Sequence, residues 1–299
     1  MELSLLDVLL ITLDRLALAT IIGCSAAFCW LLLDSDDARI TVLPILRRLL
    51  DGALITLVLT TAAVLLMRTA IMADVALLEA FPYVAKVAEK SHFGTLWIGR
   101  AAALTAMIAI WLVVRRQTPP FGGILLLTGS AIIAFYISTA SHAGDEGGLT
   151  LDNLTNSAHI IGGCLWGGAV IAYLVVINRL RREEEMHEAL CLSADRLTAL
   201  ATVALATVIT SGLLNTWHRL EAISDLWMTD YGITLVIKLL LVAMMMAIGA
   251  GNRFIIIPAM KNSAAASGRF HRILYLDATL FTAIIGIAAA LGIQGPGEH

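Results

Sequence analysis

Residues 138–173 read STASHAGDEGGLTLDNLTNSAHIIGGCLWGGAVIAY, and this stretch joins the end of one apolar segment to the start of the next. The connecting loop contains neither Lys nor Arg, but it carries His142, Asp145 and Glu146, and His159 follows where the next apolar segment begins. Imidazole is the commonest protein ligand for metal ions. The stretch therefore predicts a metal-binding rim on a membrane protein, and the segments on either side of it determine the fold.

The composition places the chain among integral membrane proteins. Hydrophobic residues make up 59% and charged residues 14% of the 299 residues, and the mean hydropathy is +0.86, whereas about a quarter of the residues in a soluble domain are charged. The formal net charge of -3 is too small to indicate a nucleic-acid partner. Membrane lipid is the expected surrounding, and no nucleic acid is expected.

Eight stretches approach the length of about 20 apolar residues that a membrane-spanning helix needs. Backbone polar groups cannot stay unsatisfied in lipid, and the long apolar runs lack strand alternation, so the stretches predict helices. We predict an all-α polytopic bundle with about eight transmembrane helices, forming a single membrane domain over residues 1–299. The predicted spans are 7–33, 49–70, 95–114, 122–140, 155–178, 196–217, 231–251 and 273–293.

The basic residues predict the orientation. With the N-terminus outside, the cytoplasmic connections hold most of them, namely Arg39, Arg47, Arg48, Arg115, Arg116, Arg179, Arg181, Arg182, Arg196, Arg253, Lys261, Arg269 and Arg272. The opposite side then keeps only Lys86, Lys90 and Arg219, with Arg68 near the boundary. The positive-inside rule favours this arrangement, which puts both termini and the His142 loop on the outer side.

Four histidines lie at or near the predicted outer face: His92, His142, His159 and His218. His159 opens the fifth span, and Gly162, Gly163 and Trp166 follow it at i+3, i+4 and i+7, which places all four on one helix face. Glycines let another helix approach closely, so His159 is expected to point into the bundle. From this stretch alone, a metal ligand and a histidine hydrogen-bonded at a helix end are equally good interpretations.

Two basic residues fall inside predicted spans. Arg100 lies in the outer third of the third span and Lys238 lies in the seventh, and such residues are costly in hydrocarbon and are functional candidates by default. The alternative is a structural salt bridge, with Asp51 or Asp277 as partner. A stripe at seven-residue spacing comprises Tyr231, Lys238, Met245 and Asn252. Because a protonated amine repels a metal cation, we expect Arg100 and Lys238 to shape the interior.

Five fragments in order carry a resemblance to a known family: HFGTLWIGR at 92–100, SHA at 141–143, AHIIGGCLWGG at 158–168, SGLLNTW at 211–217 and YGITLVIKLLLVAMMMAIGAGNR at 231–253. Together they resemble the copper resistance protein D family (CopD/PcoD). The resemblance is strongest over residues 92–295, and the first two spans agree with the family only in hydropathy.

The resemblance implies a multi-pass protein of the bacterial inner membrane that handles copper ions and is not an enzyme. It implies that copper moves inward, often beside a small periplasmic copper carrier, and we expect a separate carrier here. By motif, the family's residues correspond to His142, His159 and Trp166, with His92 and His218 as further candidate ligands. No P-loop or DKTG sequence occurs, so ATP-driven transport is not indicated.

Two alternatives stay open from the sequence. Histidines near one face could ligate haem b axially, with Arg100 or Lys238 meeting a propionate or quinone oxygen, which would give a membrane electron-transfer protein. A membrane assembly or scaffold protein would use the same histidines only at interfaces. Neither the copper oxidation state nor the oligomeric state follows from the sequence.

Overall fold

The computed structural model describes residues 5–32, 36–115, 120–144, 147–219 and 224–294, and helices dominate every one of these ranges. In chain order the helices are α1 (Leu5–Ala26), α2 (Asp36–Ala73), α3 (Val84–Lys90), α4 (His92–Val114), α5 (Pro120–Thr139), α6 (Leu151–Leu180), α7 (His187–Arg219), α8 (Asp225–Met228), α9 (Asp230–Gly251), α10 (Ile257–Met260) and α11 (Ala264–Gln294). No strand occurs among these residues. The predicted all-α architecture is confirmed.

Seven helices in the described ranges are long and apolar enough to cross a membrane. They cover Asp36–Ala73, His92–Val114, Phe121–Thr139, Leu151–Leu180, His187–Trp217, Asp230–Met260 and Ala265–Ile293. The remaining predicted span, 7–33, corresponds to α1, a helix of 22 residues that carries Asp14 and Arg15 near its middle. The prediction of about eight membrane helices is therefore confirmed.

Helix α1 lies at the centre of the bundle. It packs against α2, α5, α6 and α11, and its second half, from Ala17 to Ala26, is buried. At its contact with α6 the two backbones touch, because a Cβ added to Gly23 or to Gly168 would overlap a backbone carbonyl of the facing helix. Small residues allow such close helix contacts in membranes.

Helix α2 begins 13 residues earlier than the predicted span, at Asp36 rather than 49. Its additional turns bury Ala38, Val42 and Leu46, which are spaced four residues apart and therefore form one face of the helix. The continuous apolar run in the sequence begins only at residue 49, so the predicted span leaves out these first turns of α2. The tertiary packing extends the helix beyond that run.

Short helical segments continue or connect the long helices. They are Ala27–Leu31, Leu77–Tyr83, His142–Gly144, Glu184–Met186 and Asn252–Ile256. The segment Leu77–Tyr83 and helix α3 lie between α2 and α4, where the sequence predicts a short surface helix over 71–93. None of the residues of α3 is buried, as expected for a surface helix.

Candidate metal-binding site

His159 lies two turns inside α6. The helix is capped by Thr150, whose hydroxyl accepts a hydrogen bond from the backbone N–H of Asn153 at 3.3 Å. His159 comes eight positions after Leu151, which is about 12 Å along the axis at ~1.5 Å per residue. The side chain is half-buried and is directed towards α7, which packs against α6.

The His159 ring is held by Ser211 of α7. The distance between His159 Nδ1 and Ser211 Oγ is 3.1 Å, and Ser211 Oγ donates its own proton to the backbone carbonyl of Thr207 at 2.5 Å. When the hydroxyl proton is used there, Ser211 Oγ accepts from His159 Nδ1–H. In the neutral imidazole this tautomer places the lone pair on Nε2, the nitrogen that could bind a metal.

A glycine on α7 makes room for this contact. A Cβ added to Gly212 would lie 3.1 Å from Cε1 of His159, closer than side chains ordinarily pack. Gly162, one turn beyond His159 on α6, likewise faces Thr207 and Val208 of α7, with a Cβ position about 3.1 to 3.2 Å from their side chains. Gly163, which the helical spacing places on the same face, has open space around it.

A chain of hydrogen bonds joins the ends of α5, α6 and α7 near His159. Asn156 Nδ2 donates to Ser138 Oγ at 2.9 Å and to Ser141 Oγ at 3.4 Å, and Asn215 Nδ2 donates to Asn156 Oδ1 at 3.3 Å. We call this set the His159 cluster; its members are Ser138, Ser141, Asn156, His159, Ser211 and Asn215. The three motif fragments that begin at 141, 158 and 211 therefore meet at one end of the bundle.

The sequence reasoning missed Asn156, Ser211 and Asn215 as members of the site. A signal was present for each of them, because Asn156 precedes His159 by three residues, and Ser211 and Asn215 belong to the SGLLNTW fragment and are one helical turn apart. Polar residues at helical spacing inside an apolar span are expensive unless they have partners. Which helices supply the partners is visible only in the fold.

The backbones of His142 and His218 lie beside the His159 cluster. His142 directly follows Ser141 and begins the short helix His142–Gly144, and His218 comes three residues after Asn215 in the last turn of α7. The side chains of both histidines lie outside the described part of the structure, as do Asp145 and Glu146 entirely. Their predicted roles as copper ligands and collecting carboxylates stay predictions.

His92 lies on a different part of the bundle. It is the exposed first residue of α4, which is capped by Ser91, whose hydroxyl accepts from the N–H of Gly94 at 2.9 Å. Helix α4 packs against α2, α3 and α5, whereas α6 and α7 carry His159 and Ser211. The described packing therefore separates His92 from His159.

Trp166 is buried two turns beyond His159 on α6, with 8% of its surface exposed. The next residue, Gly167, faces the ring of Phe281 on α11, so this part of α6 packs against α7 on one side and α11 on another. Trp166 thus lies in the apolar core, two turns further into the bundle than His159.

Arg100 is buried in an ionic cluster rather than paired with Asp51 or Asp277. Its Nη2 donates to Asp14 Oδ1 at 2.5 Å and to Thr61 Oγ1 at 2.9 Å, and Asp14 also accepts from Arg15 Nη1 at 2.9 Å and from Thr60 Oγ1 at 2.8 Å. We call Asp14, Arg15, Thr60, Thr61 and Arg100 the Asp14 cluster. It joins α1, α2 and α4.

The two suggested carboxylate partners are used elsewhere. Asp51 accepts from Trp111 Nε1 at 2.6 Å and pairs with Arg115 at 2.9 Å. Asp277 accepts from Asn252 at 3.3 Å. Arg100 pairs with neither of them, because Asp14 is nearly level with Arg100 in the bundle, a relation between two distant spans that spacing along the chain does not reveal.

Lys238 is half-buried on α9. On the same stripe, Met245 is 1% exposed and Asn252 4% exposed, so the inner part of this stripe faces the bundle. The role of Lys238 in shaping the interior stays a prediction.

Among the side chains that the structure describes, no three from His, Cys, Asp and Glu come close enough to hold a metal ion. A complete site at this end would therefore need groups beyond the described ones, and the His142 and His218 side chains are the nearest along the chain. The residue that meets the chemical requirement for a ligand is His159, with a fixed ring and its lone pair on Nε2.

Comparisons with known proteins identify the family. A family model described as copper resistance protein D matches residues 192–291, and one described as copper resistance protein D-like, N-terminal domain, matches residues 3–151. "Copper resistance protein D" of Pseudomonas syringae pv. tomato is 27% identical over 267 residues, which is 85% of each chain. "Copper transport protein CutJ" of Bacillus subtilis (strain 168) is 25% identical over 210 residues, 68% of this chain but only 38% of that longer protein.

No solved structure matches the chain. Both relatives are named for copper resistance or copper transport rather than for an enzymatic reaction. The two family models match residues on both sides of the His159 cluster, and residues 152–191, which include nearly all of α6 with Asn156 and His159, lie between the two matches. This multi-pass membrane protein belongs to the copper resistance protein D family.

Proposed function

We propose that this protein binds copper ions at the His159 cluster and passes them across the cytoplasmic membrane. The observation that carries the proposal is the hydrogen bond from His159 Nδ1 to Ser211. It fixes the ring and places the lone pair on Nε2, which is how proteins commonly prepare a metal-binding histidine. We infer that the metal is copper because both relatives are named for copper.

Copper needs more ligands than one imidazole. Imidazole nitrogen binds copper well, whereas the hydroxyl and amide oxygens of Ser138, Ser141 and Asn156 are weak ligands for it. The amides and hydroxyls therefore orient the site, and further imidazoles complete it. His142 and His218 supply them, since each follows a cluster residue closely along the chain. His92, on the exposed start of α4, is a less direct contributor.

The basic residues support an orientation in which the His159 cluster faces the periplasm of a bacterial inner membrane. In that orientation copper enters from the periplasmic side, delivered by a separate copper carrier protein. The inward direction and the carrier belong to this proposal.

The Asp14 cluster supports a route for copper through the other part of the bundle. Two guanidinium groups surround one carboxylate there, so the cluster has a formal charge of +1 at a buried position. A cation is repelled strongly at low dielectric. Copper therefore passes along α6, α7 and α11 and avoids the contact of α1, α2 and α4.

The test is copper binding by the purified protein with His159→Ala. We expect copper retained after desalting to fall to background in this variant. His187→Ala, which changes a histidine at the opposite end of α7, is the matched control and should retain copper. Retention by His159→Ala at the wild-type level would overturn the proposal.

A visible spectrum on the same samples separates the electron-transfer alternative. Haem gives an intense Soret band, whereas a Cu(I) site is colourless. A Soret band that is lost with His159→Ala, in a protein that retains no copper, would favour a haem protein over a copper protein.

A further inference from the structure

A buried acid lies in the middle of α11, away from the His159 cluster. Asp277 is 4% exposed and comes thirteen residues after Ala264, the start of α11, or about 20 Å along the axis at ~1.5 Å per residue. Its partner is Asn252, also 4% exposed, whose Nδ2 donates to Asp277 Oδ2 at 3.3 Å. Asp277 therefore sits inside the span.

The hydrogen bonding of this pair is incomplete. Within the described ranges, Asp277 Oδ1 and Asn252 Oδ1 are both buried and neither has a hydrogen-bond partner. Asp277 also takes part in none of the ion pairs found in these ranges. A buried ionised carboxylate without a counter-charge is very costly, and such a group takes up a proton instead.

The surrounding elements do not supply a counter-charge. Helix α11 packs against α1, α6, α9, α10 and the segment Asn252–Ile256. Their titratable side chains, with those of α11 itself, are Asp7, Asp14, Arg15, Cys24, Asp152, His159, Cys164, Tyr173, Arg179, Asp230, Tyr231, Lys238, Arg253, Arg269, His271, Arg272 and Tyr275. In the part of the chain that is described, none of these contacts Asp277 through a hydrogen bond or an ion pair.

The basic residue next to the partner amide is directed elsewhere. Arg253 follows Asn252 directly, but its Nη1 donates to Thr202 Oγ1 at 2.9 Å and to the Thr198 carbonyl at 3.4 Å on α7. Asp277 is thus left with an amide as its polar partner.

A single proton would complete the pair. With an ionised carboxylate, Asp277 Oδ1 and Asn252 Oδ1 are both acceptors and cannot bond to each other. A protonated carboxyl has one O–H donor, so a carboxylic acid and a primary amide can form two complementary hydrogen bonds. With the added proton, Asp277 Oδ1 donates to Asn252 Oδ1, so both oxygens gain a hydrogen-bond partner.

We propose that Asp277, paired with Asn252, is a proton-binding site inside the membrane, and that its proton is released when a copper cation passes. The exchange rests on the proposed function. The carboxylic acid loses one proton to solvent, and the resulting carboxylate balances one positive charge of the arriving copper. No electron is transferred in this step.

The position of Asp277 relative to His159 suits this exchange. Phe281, one helical turn beyond Asp277, faces Gly167 of α6, and Gly167 is adjacent to Trp166 below the His159 cluster. A cation that leaves the cluster along α6 therefore approaches Asp277 next. An open depression of about 220 Å³ is lined by Asn252 and otherwise by apolar residues.

The backbone at Asn252 supports a functional role for the pair. Asn252 begins a π-helical segment, Asn252–Ile256, that continues α9. Such segments are rare and are frequent at functional sites. The wide turn interrupts the regular α-helical backbone at the residue that contacts Asp277.

Infrared spectroscopy on the copper-free protein tests the proton directly. We expect the C=O stretching band of a protonated carboxylic acid near neutral pH in the wild type, and we expect this band to be lost in Asp277→Asn. Asp51→Asn is the control and should keep the band, because Asp51 is paired with Arg115. In Asn252→Leu the carboxyl stays but loses its amide partner, so the band should shift.

Absence of a band that depends on Asp277 at every pH where the protein is folded would overturn the inference. A band that disappears when sodium is added would also overturn it, because the site would then hold a metal cation rather than a proton. If Asp277→Asn does not fold, the shift expected in Asn252→Leu decides the question, and an unshifted band overturns the pairing.

Copper-linked proton release tests the exchange. In vesicles containing the wild-type protein and a pH-sensitive dye, copper should release protons, and Asp277→Asn should bind copper at the wild-type level with release lost. Release at the wild-type level in Asp277→Asn would overturn the exchange. A failure of the proposed function looks different, because copper binding would then be absent while the infrared band persists.

Discussion

Asp14 and Asp277 are both carboxylates buried inside the helical bundle, with 1% and 4% of their surfaces exposed, but their surroundings are opposite. Asp14 accepts hydrogen bonds from Arg15, Thr60 and Arg100. Asp277 accepts one hydrogen bond, from an amide. The difference teaches that a membrane protein can accommodate a buried acid with opposite charge, as at Asp14, or, as we propose for Asp277, with a proton.

The two solutions have different consequences. The Asp14 carboxylate pairs with two arginines and a threonine, and these contacts join three helices. A carboxyl beside an amide can exchange a proton, because the gain or loss of one charge changes its energy greatly in a low-dielectric interior. We therefore regard the Asp14 cluster as structural and the Asp277 pair as the element that responds to copper.

The largest expected effect comes from breaking the Asp14 cluster. Asp14→Ala leaves Arg15 and Arg100 without their carboxylate, and removing one partner of a buried ion pair costs about 3–5 kcal/mol of unfolding free energy. Denaturant unfolding in detergent micelles, followed by helical circular dichroism, measures the loss. A loss below about 1 kcal/mol would contradict the view that this cluster holds α1, α2 and α4 together.

Removing the Asp277 carboxyl should cost less. Asp277→Leu leaves the Asn252 amide buried and unpartnered, which costs about 1–3 kcal/mol. The double variant Asn252→Leu with Asp277→Leu should recover most of that loss, because both polar groups are then replaced by apolar ones. If the double variant is as unstable as the sum of the two single variants, the two residues do not act as a pair.

Ser211→Ala should lower stability less than Asp277→Leu does, but it should clearly lower the affinity for copper. The variant removes the acceptor that orients His159, and loss of such a supporting contact typically lowers metal affinity 10–100-fold. Competition with a copper chelator measures the affinity. Thr216→Ala is the matched control, because its hydroxyl donates only to the Gly212 carbonyl of its own helix, and the same loss in both variants would remove Ser211 from the site.

The smallest effect is expected for the partly exposed pair of Asp51 and Arg115. Their side chains are 32% and 40% exposed, and exposed ion pairs contribute about 0–1 kcal/mol. Asp51→Asn also keeps an oxygen that can accept from Trp111. The unfolding free energy of Asp51→Asn should fall by less than about 1 kcal/mol. A loss equal to that of Asp14→Ala would mean that burial does not explain why the Asp14 cluster contributes more to stability than the Asp51 pair.

Part of the candidate site could be expected from short fragments of the sequence. His159 and Trp166 share a helix face by spacing alone, and SHA, AHIIGGCLWGG and SGLLNTW are recognisable fragments. Their meeting at one end of the bundle is a property of antiparallel helices joined in order. The hydrogen bond from His159 to Ser211 could not be predicted, because it depends on the rotation of α7 against α6 and on the space left by Gly212.

The partners of the intramembrane charges were harder to predict. Arg100 and Asp14 are 86 positions apart and lie in α4 and α1, and no periodicity within either helix specifies the other as its partner. Asp51 and Asp277 were equally plausible from the sequence. The choice depends on which helices are neighbours and on the depth of each side chain in the bundle.

The sequence by itself determined the class and the approximate number of spans and singled out the candidate histidines, because lipid requires long apolar helices and admits polar residues only at a cost. Only the tertiary structure decided which polar residues pair with one another and so offset the cost of burying them. It surrounded Asp14 with two arginines and left Asp277 with one amide, since the packing of α1 and α11 against different neighbours sets the local electrostatics of each carboxyl.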